Sequence, residues 1–369
     1  MALRRIGVLT GGGDAPGLNP AIRALVWKAA ELGIETVGIY DGWKGLLDGN
    51  VDETWKLDVE TVRYWDLDGG THLGSSRTNP FKHLVGDKRV DASDEVLRNI
   101  GKLGLDALVP IGGEDTLGVA AGLAKKGAPV VGIPKTIDKD LGGTDYTLGF
   151  DTSLRTCADI IERSRTPAGS HNWVQVVEVM GRHAGHLALW SGLAGGAYIT
   201  LIPEAPFEVD KVLKLLDERL ARGKQDRRLP RYAVVVVAEG AMPSGGKEIT
   251  VEQKVDAFGH ARLGGIGAWL SEQIRQKTPW DSRAVALGHP QRGGTPSPID
   301  RIMGHLFGSA AVEACGKGAW GKMVSAKGIA PACQLSLVSL EEATKGLNLV
   351  DVARHYNLDR YQASRTVLG

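Results

Sequence analysis

The sequence predicts an α/β protein made of two doubly wound, Rossmann-like domains with mainly parallel sheets. Three observations carry that prediction. Short apolar runs alternate with amphipathic segments along most of the chain, the pattern of parallel strands joined by crossover helices. The 50 glycines among 369 residues are roughly double the usual share of about 7%, and they cluster at the ends of the apolar runs. No linker rich in Pro or Ser separates the halves, so the two domains are expected to pack closely with the active site in a cleft between them.

Residues 6–10 read as a first buried strand, followed by the turn Gly11-Gly-Gly-Asp-Ala-Pro-Gly-Leu-Asn19. Asn19 suits a helix N-cap and Pro20 the first helical position, which predicts a helix over 20–32 with Ile22, Leu25, Val26 and Ala29 on its buried face. Amides at such a helix start suit an anion. The turn matches neither GxGxxG nor GxxxxGK[ST], and the near miss at Gly316–Met323 lacks the final Ser/Thr and opens no helix.

A strand is expected at 35–40. Residues 68–80 form a polar, Gly-rich loop with Arg77 at its centre, an arginine with no apolar helix face to lie on. A helix at 93–103 and a strand at 106–111 lead to Gly112-Gly-Glu-Asp-Thr116 and a helix at 117–126. Glu114 and Asp115 there either complement a helix dipole or hold a divalent cation such as Mg²⁺, which takes one or two carboxylates plus phosphate oxygens. Residues 129–133 read as a parallel strand stopped by Pro134. Lys135, Thr136, Asp138 and Asp140 therefore fall just beyond its carboxyl end, where open α/β sheets bind ligands. Taken alone, carboxylates beside an ammonium are more commonly a plain ion pair.

The second half continues in the same manner. A helix is expected at 151–164 and a strand at 173–180, with the turn Met180-Gly-Arg-His-Ala-Gly185 after it. Strand 198–202, helix 209–222, strand 232–238, a long helix at 253–276 despite Gly264 and Gly265, and strand 284–287 follow. Residues 222–230 and 243–249 read as surface loops.

Composition narrows the function classes. With 44 basic and 43 acidic residues the formal charge is +1, which points to neither nucleic acid nor an anionic membrane as partner. Cys157, Cys315 and Cys333 are odd in number and widely spaced, fitting reduced thiols without a disulfide framework or a zinc site. The first residues lack a cleavable apolar segment and no run reaches the length of a membrane span, so a cytoplasmic location is expected.

Seven motifs together resemble the phosphofructokinases of the bacterial type. They are Gly11–Asn19, Leu73-Gly-Ser-Ser-Arg77, Gly112-Gly-Glu-Asp-Thr116, Pro134-Lys-Thr-Ile-Asp138, Val179-Met-Gly-Arg182, Ala238-Glu-Gly240 and Leu287-Gly-His-Pro-Gln-Arg-Gly-Gly294. Each is weak alone, but they occur in the family's order across nearly the whole chain. The resemblance implies a donor domain of residues 1–149 plus about 291–341 and a sugar-phosphate domain of 150–290 plus about 342–369. It further implies transfer of a phosphoryl group to the 1-hydroxyl of a sugar such as fructose 6-phosphate, with Mg²⁺ as cofactor. An inactive paralogue that only binds sugar phosphate is the alternative of another class; it predicts loss of the base, and Asp138 and Arg77 are both present.

By the same resemblance, Asp138 is the general base and Thr136 contacts the sugar. Glu114 and Asp140 stand on the metal side. The amides of Gly12 and Gly13, with Arg77, neutralise the transferring group, and Thr116 lies in the donor turn. Met180, Gly181, Arg182 and Glu239 grip the sugar. Arg283, His289 and Arg292 hold its distal phosphate, Arg283 reaching over from a neighbouring subunit of a homodimer or homotetramer. Members that use ATP have glycine where Asp115 and Lys135 stand, whereas those that use pyrophosphate have this aspartate and lysine. Bulk and negative charge at 115 disfavour a nucleotide's α-phosphate, Lys135 offers a cation to a short diphosphate, and Val119 narrows the purine space. Pyrophosphate is therefore the expected donor and ATP the alternative.

Three departures from the family pattern stand out. Trp27 replaces an effector-site arginine, so nucleotide regulation through that site is not expected. Trp173 replaces an arginine that reaches the sugar's distal phosphate. Either Trp173 fills the interface while the remaining cations suffice, or the acceptor is a sulfonate such as 6-deoxy-6-sulfofructose and the indole N–H donates to it. Lys139 stands where the family commonly has asparagine.

Overall fold

The computed structural model describes residues 3–49, 52, 54–86, 88–246, 250–255 and 261–364. Two compact units emerge, one formed by Met1–Thr152 with Arg292–Leu347, the other by Ser153–Lys254, Ala261–Gln291 and Asn348–Gly369.

The first unit is organised on a seven-stranded sheet. Its order is Gln334–Ser339, Lys322–Lys327, Val131–Pro134, Ala107–Gly112, Arg5–Thr10, Glu35–Ile39 and Thr54–Leu57. The five inner strands run parallel, and the strand at each end is antiparallel to its neighbour. Arg5–Thr10 and Ala107–Gly112 are buried almost throughout, without polar alternation, as strands covered on both faces must be. One apolar cluster joins the sheet to the helices Leu18–Glu31 and Pro298–Gly316; another joins its opposite face to the helices Trp43–Asp48, Ser93–Lys102 and Glu114–Lys125. The predicted doubly wound α/β architecture is thus realised. Because the chain leaves Arg5–Thr10 toward Glu35–Ile39 on one side and returns to Ala107–Gly112 on the other, the order reverses there, and that is where such sheets bind ligands.

The second unit has a four-stranded, wholly parallel sheet in the order Ser282–Ala286, Val174–Val179, Ala233–Ala238, Ile199–Leu201. Glu178, buried on Val174–Val179, accepts hydrogen bonds from the Gly265 and Gly267 amides and so caps the helix Ile266–Lys277.

Several boundaries move for identifiable reasons. The first helix starts at Leu18 because Gly17 takes a left-handed conformation (φ 112°) and ends the turn there. Asn19 is accordingly no cap; buried within the first turn, it donates to the Asp68 and Gly69 carbonyls and accepts from the His72 amide. The helix expected at 117–126 begins at Glu114, which places Glu114 and Asp115 in its first turn. The helix expected at 151–164 runs from Phe150 to His171, with Pro167 inside it. The helix expected at 253–276 is not continuous. Thr250–Val255 and Ala261–Leu263 pair as strands, Gly264 and Gly265 take φ of 141° and 89°, and the helix starts only at Ile266; residues 256–260, like 247–249 of the loop read at 243–249, lie outside the described residues.

A buried polar knot anchors Pro298–Gly316. Asp300 accepts from the Tyr146 hydroxyl at 2.7 Å, the Gly149 amide at 2.7 Å, and the Thr152 amide and hydroxyl at 2.9 and 2.5 Å. Asp300→Ala would leave these buried donors without their acceptor, so the expected loss is about 3–5 kcal/mol of unfolding free energy, read from the urea midpoint.

Cys157 and Cys315 are buried, and burial pushes both thiols up to about 12, while Cys333 is partly accessible. At pH 8 a disulfide reagent such as dithiobis(nitrobenzoate) should titrate one thiol in the native protein and three in denaturant. Among the described residues no helix is long and apolar enough to cross a membrane.

Candidate active site

Three turns meet at the carboxyl ends of the central strands of the first unit. They are joined by backbone bonds that carry on where the sheet ladders stop: Gly11 N–H to the Ile111 carbonyl at 3.0 Å and Lys135 N–H to the Gly112 carbonyl at 2.9 Å. Thr116 fills the space between the first two turns. A Cβ on Gly11 would fall 2.6 Å from its Oγ1, and one on Gly112 would fall 2.4 Å from its Cβ, so both positions require glycine. Trp43 holds Thr116 from behind through an indole bond to its carbonyl at 3.2 Å.

The loop before Arg77 is tied to the same place. The Gly12 amide donates to the Ser76 carbonyl at 3.1 Å, the Ser75 hydroxyl to the Gly12 carbonyl at 2.5 Å, and the Thr10 hydroxyl to the Gly74 carbonyl at 2.6 Å. These bonds bring the exposed Arg77 to the glycine turn. They also engage the Gly12 N–H in the frame of the site, which differs from the expectation that it faces an anion.

Lys135 is almost completely buried, and its Nζ donates to the Gly13 carbonyl. Burial, then the Arg292 guanidinium, push its ammonium down to about 7, against the pull of Asp14, Asp140 and Asp138. Thr136 accepts from the Asp138 amide at 3.1 Å, and its carbonyl accepts from the Thr147 hydroxyl at 2.7 Å. Between the two aspartates Lys139 takes a left-handed conformation with φ of 57°, its ammonium 5.4 Å from the centre of the Phe150 ring. Asparagine tolerates that conformation better than lysine, which accounts for the asparagine noted in the family.

Asp140 lies well above the usual carboxylate range, first because it is buried and then because Asp138, with a smaller contribution from Glu114, repels its charge; Thr136 opposes the shift through a hydrogen bond. Glu114 and Asp115 add negative charge at the positive end of their helix. A set of oxygen donors crowded in this way suits a hard divalent cation. Among the described residues no group of three or more His, Cys, Asp or Glu is placed to hold a metal.

In the second unit Met180, Gly181, Arg182 and Glu239 come together at the ends of Val174–Val179 and Ala233–Ala238. Glu239 N–H donates to the Val179 carbonyl at 2.8 Å and Gly240 N–H to the Gly181 carbonyl at 3.1 Å. The turns approach so closely that a Cβ on Gly240 would lie 1.8 Å from the Arg182 carbonyl oxygen. His289 is exposed in the following turn, and the buried Gln291 fixes that turn to Met180: its Oε1 accepts from the Met180 amide at 3.1 Å and its Nε2 donates to the Gly288 carbonyl at 2.9 Å.

Arg283 is exposed on the edge strand Ser282–Ala286, paired with Asp281 at 3.0 Å and lying 5.6 Å from the centre of the Trp173 ring. Trp173 stacks on His171 with ring centroids 5.0 Å apart, and its indole N–H donates to Gln175 Oε1 at 3.2 Å. The donor that the sulfonate reading requires is therefore engaged within the strand. Arg292 ends the short 3-10 turn His289–Arg292 and donates from Nη1 to the Asp14 carbonyl at 3.1 Å. Trp27 is partly buried against the apolar cluster of the first unit, with the Arg23 guanidinium 4.2 Å over its ring.

Sequence reasoning did not single out Gln291, Ser75 or Thr10 as residues that position the site. All three sit inside or beside recognisable motifs, but polar residues that bond to distant main chain carry no spacing signal.

The profile of the family described as "Phosphofructokinase" matches residues 5–315. A protein of Amycolatopsis methanolica named pyrophosphate–fructose 6-phosphate 1-phosphotransferase is 48% identical over 353 residues, covering 95% of this chain and 97% of its own length. A protein of Corynebacterium efficiens named ATP-dependent 6-phosphofructokinase is 43% identical over 356 residues, covering 96% and 97%. In fold, the crystal structure of a pyrophosphate-dependent phosphofructokinase from Nitrosospira multiformis matches with a TM-score of 0.81 at 19% identity, over 98% of this chain and 89% of that one. A profile match over most of the chain, close full-length relatives and the shared fold agree with the motif order, and the chain belongs to the phosphofructokinase family.

Proposed function

We propose that this protein transfers a phosphoryl group from pyrophosphate to the 1-hydroxyl of fructose 6-phosphate, giving fructose 1,6-bisphosphate. The observation that carries the choice of donor is the buried Lys135, whose ammonium is fixed to the carbonyl of Gly13 in the glycine turn, opposite a helix whose first turn already bears Glu114 and Asp115. A short, highly charged diphosphate gains from that cation. A nucleotide would have to bring its α-phosphate past Asp115 and its base past the buried Val119.

The remaining roles follow from chemistry. Asp138 accepts the proton of the 1-hydroxyl as it attacks, while Thr136 orients the sugar. Arg77 and the Gly13 amide offset charge on the transferring group, in a reaction where catalysis consists mainly of positioning and charge stabilisation. Glu114 and Asp140 would hold Mg²⁺, which when bound supplies positive charge to the diphosphate oxygens. On the second unit Met180, Gly181, Arg182 and Glu239 grip the sugar, and Arg283 and His289 hold its distal phosphate, Arg283 acting from a neighbouring protomer of a homo-oligomer. Free cysteines fit a reducing cytoplasm.

The test is a matrix of donors and acceptors: pyrophosphate and ATP against fructose 6-phosphate, sedoheptulose 7-phosphate and sulfofructose. Turnover with pyrophosphate and fructose 6-phosphate at the highest kcat/KM is expected. A preference for ATP by tenfold or more would reverse the choice of donor.

A further inference from the structure

In the second unit Arg283 and Trp173 belong to one closed circuit of contacts. The helix Phe150–His171 ends where Asn172 takes a left-handed conformation with φ of 61°, one that asparagine adopts at low cost. The amides of Asn172 and Trp173 both donate to the Ala168 carbonyl, at 2.8 and 3.3 Å, and so fix Trp173 immediately before the strand Val174–Val179. Its ring is held by one face and one edge. His171 stacks on it at an interplanar angle of 9°, and its indole N–H donates to Gln175 Oε1 at 3.2 Å. Gln175 is buried, and its Nε2 donates at 3.2 Å to the carbonyl of Arg283, its register partner on the parallel edge strand Ser282–Ala286. The Arg283 guanidinium then returns to the Trp173 ring, its Cζ 5.6 Å from the ring centre, with Asp281 paired to it at 3.0 Å.

An exposed arginine samples many rotamers, and the freedom it loses on gripping a phosphate weakens that grip. A guanidinium attracted to an indole face has given up part of that freedom beforehand. Stacking on a ring is compatible with bidentate recognition of a phosphate by the same fork. Because the indole N–H is already bonded to Gln175, the ring face is what Trp173 has to offer, and Arg283 is the group that it addresses.

We propose that Trp173 is a positioning residue that sets affinity for the acceptor's distal phosphate by preorganising Arg283, so that one ordered guanidinium offsets the arginine that the family carries at position 173. This rests on Arg283 binding that phosphate.

The test is a cycle of wild type, Trp173→Leu, Arg283→Ala and the double variant, with Trp173→Phe as the conservative change. Sedimentation and the urea midpoint verify assembly and folding. Isothermal titration gives the Kd for fructose 6-phosphate without a donor, and steady-state kinetics with pyrophosphate separate KM from kcat. Arg283→Ala should raise Kd and KM for the sugar phosphate roughly 10- to 100-fold, the scale of a lost charge-assisted contact. Trp173→Leu should raise them about 3- to 10-fold, the scale of a cation–π contact, with kcat and the KM for pyrophosphate within about twofold. Trp173→Phe keeps a ring face without the indole bond and should recover most of the loss. In the Arg283→Ala background the effect of Trp173→Leu should vanish. An equal effect of Trp173→Leu with and without Arg283, or an unchanged Kd in that variant, overturns the positioning role while the phosphate role of Arg283 stands. A wild-type Kd in Arg283→Ala removes both together. If Trp173→Leu does not fold, Trp173→Gln, which also lacks a ring, takes its place in the cycle.

Discussion

Asp138→Ala should lower kcat by about 10²–10⁴-fold, the usual contribution of a positioned general base, with little change in the urea midpoint. The size of the effect follows from where Asp138 stands. It lies half-buried beyond the strand Val131–Pro134, with its amide held by Thr136, and its charge already acts on Asp140. Removing it takes away the proposed acceptor for the hydroxyl proton but no packing of the core. Asp138→Asn keeps the shape of the side chain and should be nearly as inactive, which separates proton acceptance from packing. Asp140→Asn should instead raise the Mg²⁺ concentration needed for half-maximal rate. An Asp138→Asn enzyme with wild-type kcat would end the assignment of the base.

The double substitution Asp115→Gly with Lys135→Gly should lower kcat/KM for pyrophosphate by about 10²–10³-fold and raise it for ATP. The loss has two sources. Lys135 is buried, with its ammonium pushed down to about 7, and its charged form interacts with a diphosphate there with little screening by water. Its removal also frees the Gly13 carbonyl that it now holds. The gain with ATP comes from deleting bulk and a negative charge at position 115, in the first turn of Glu114–Lys125. Since both residues address the same ligand, the single variants should not add to the double, and a full cycle of four enzymes with both donors measures the coupling. Equal loss with pyrophosphate and ATP would show that the pair serves the frame of the site instead of the choice of donor.

Much of the fold was legible because its strands are buried on both faces. Runs such as Ala233–Ala238, with valines at its four inner positions, announce a parallel sheet without any need of periodicity. The glycine turns were legible for a different reason: Gly11, Gly112 and Gly240 lie where another residue would collide with Thr116 or the Arg182 carbonyl, so the chain keeps glycine at fixed distances from strand ends. Local periodicity misled at 253–276, where amphipathic spacing continues across two glycines that the backbone uses to stop a hairpin and start a helix. The inner strand Lys322–Lys327 and its edge neighbour Gln334–Ser339 escaped because polar residues interrupt their apolar ones. Long-range partnerships were the least legible of all. Neither the indole bond from Trp173 to Gln175 nor the seat of Arg292 on Asp14 leaves any trace in local sequence.

The turns of the first unit are joined main chain to main chain, through Gly11 to Ile111, Lys135 to Gly112 and Gly12 to Ser76. Such joints are indifferent to which side chain occupies the linked position, provided no side chain intrudes where glycine is required. Substitutions at positions 115 and 135 therefore leave these main-chain joints in place, and the Lys135 side chain's bond to the Gly13 carbonyl is lost with the lysine. On the proposed roles, a change at 115 or 135 alters the choice of donor while the main-chain joints between the turns stay in place.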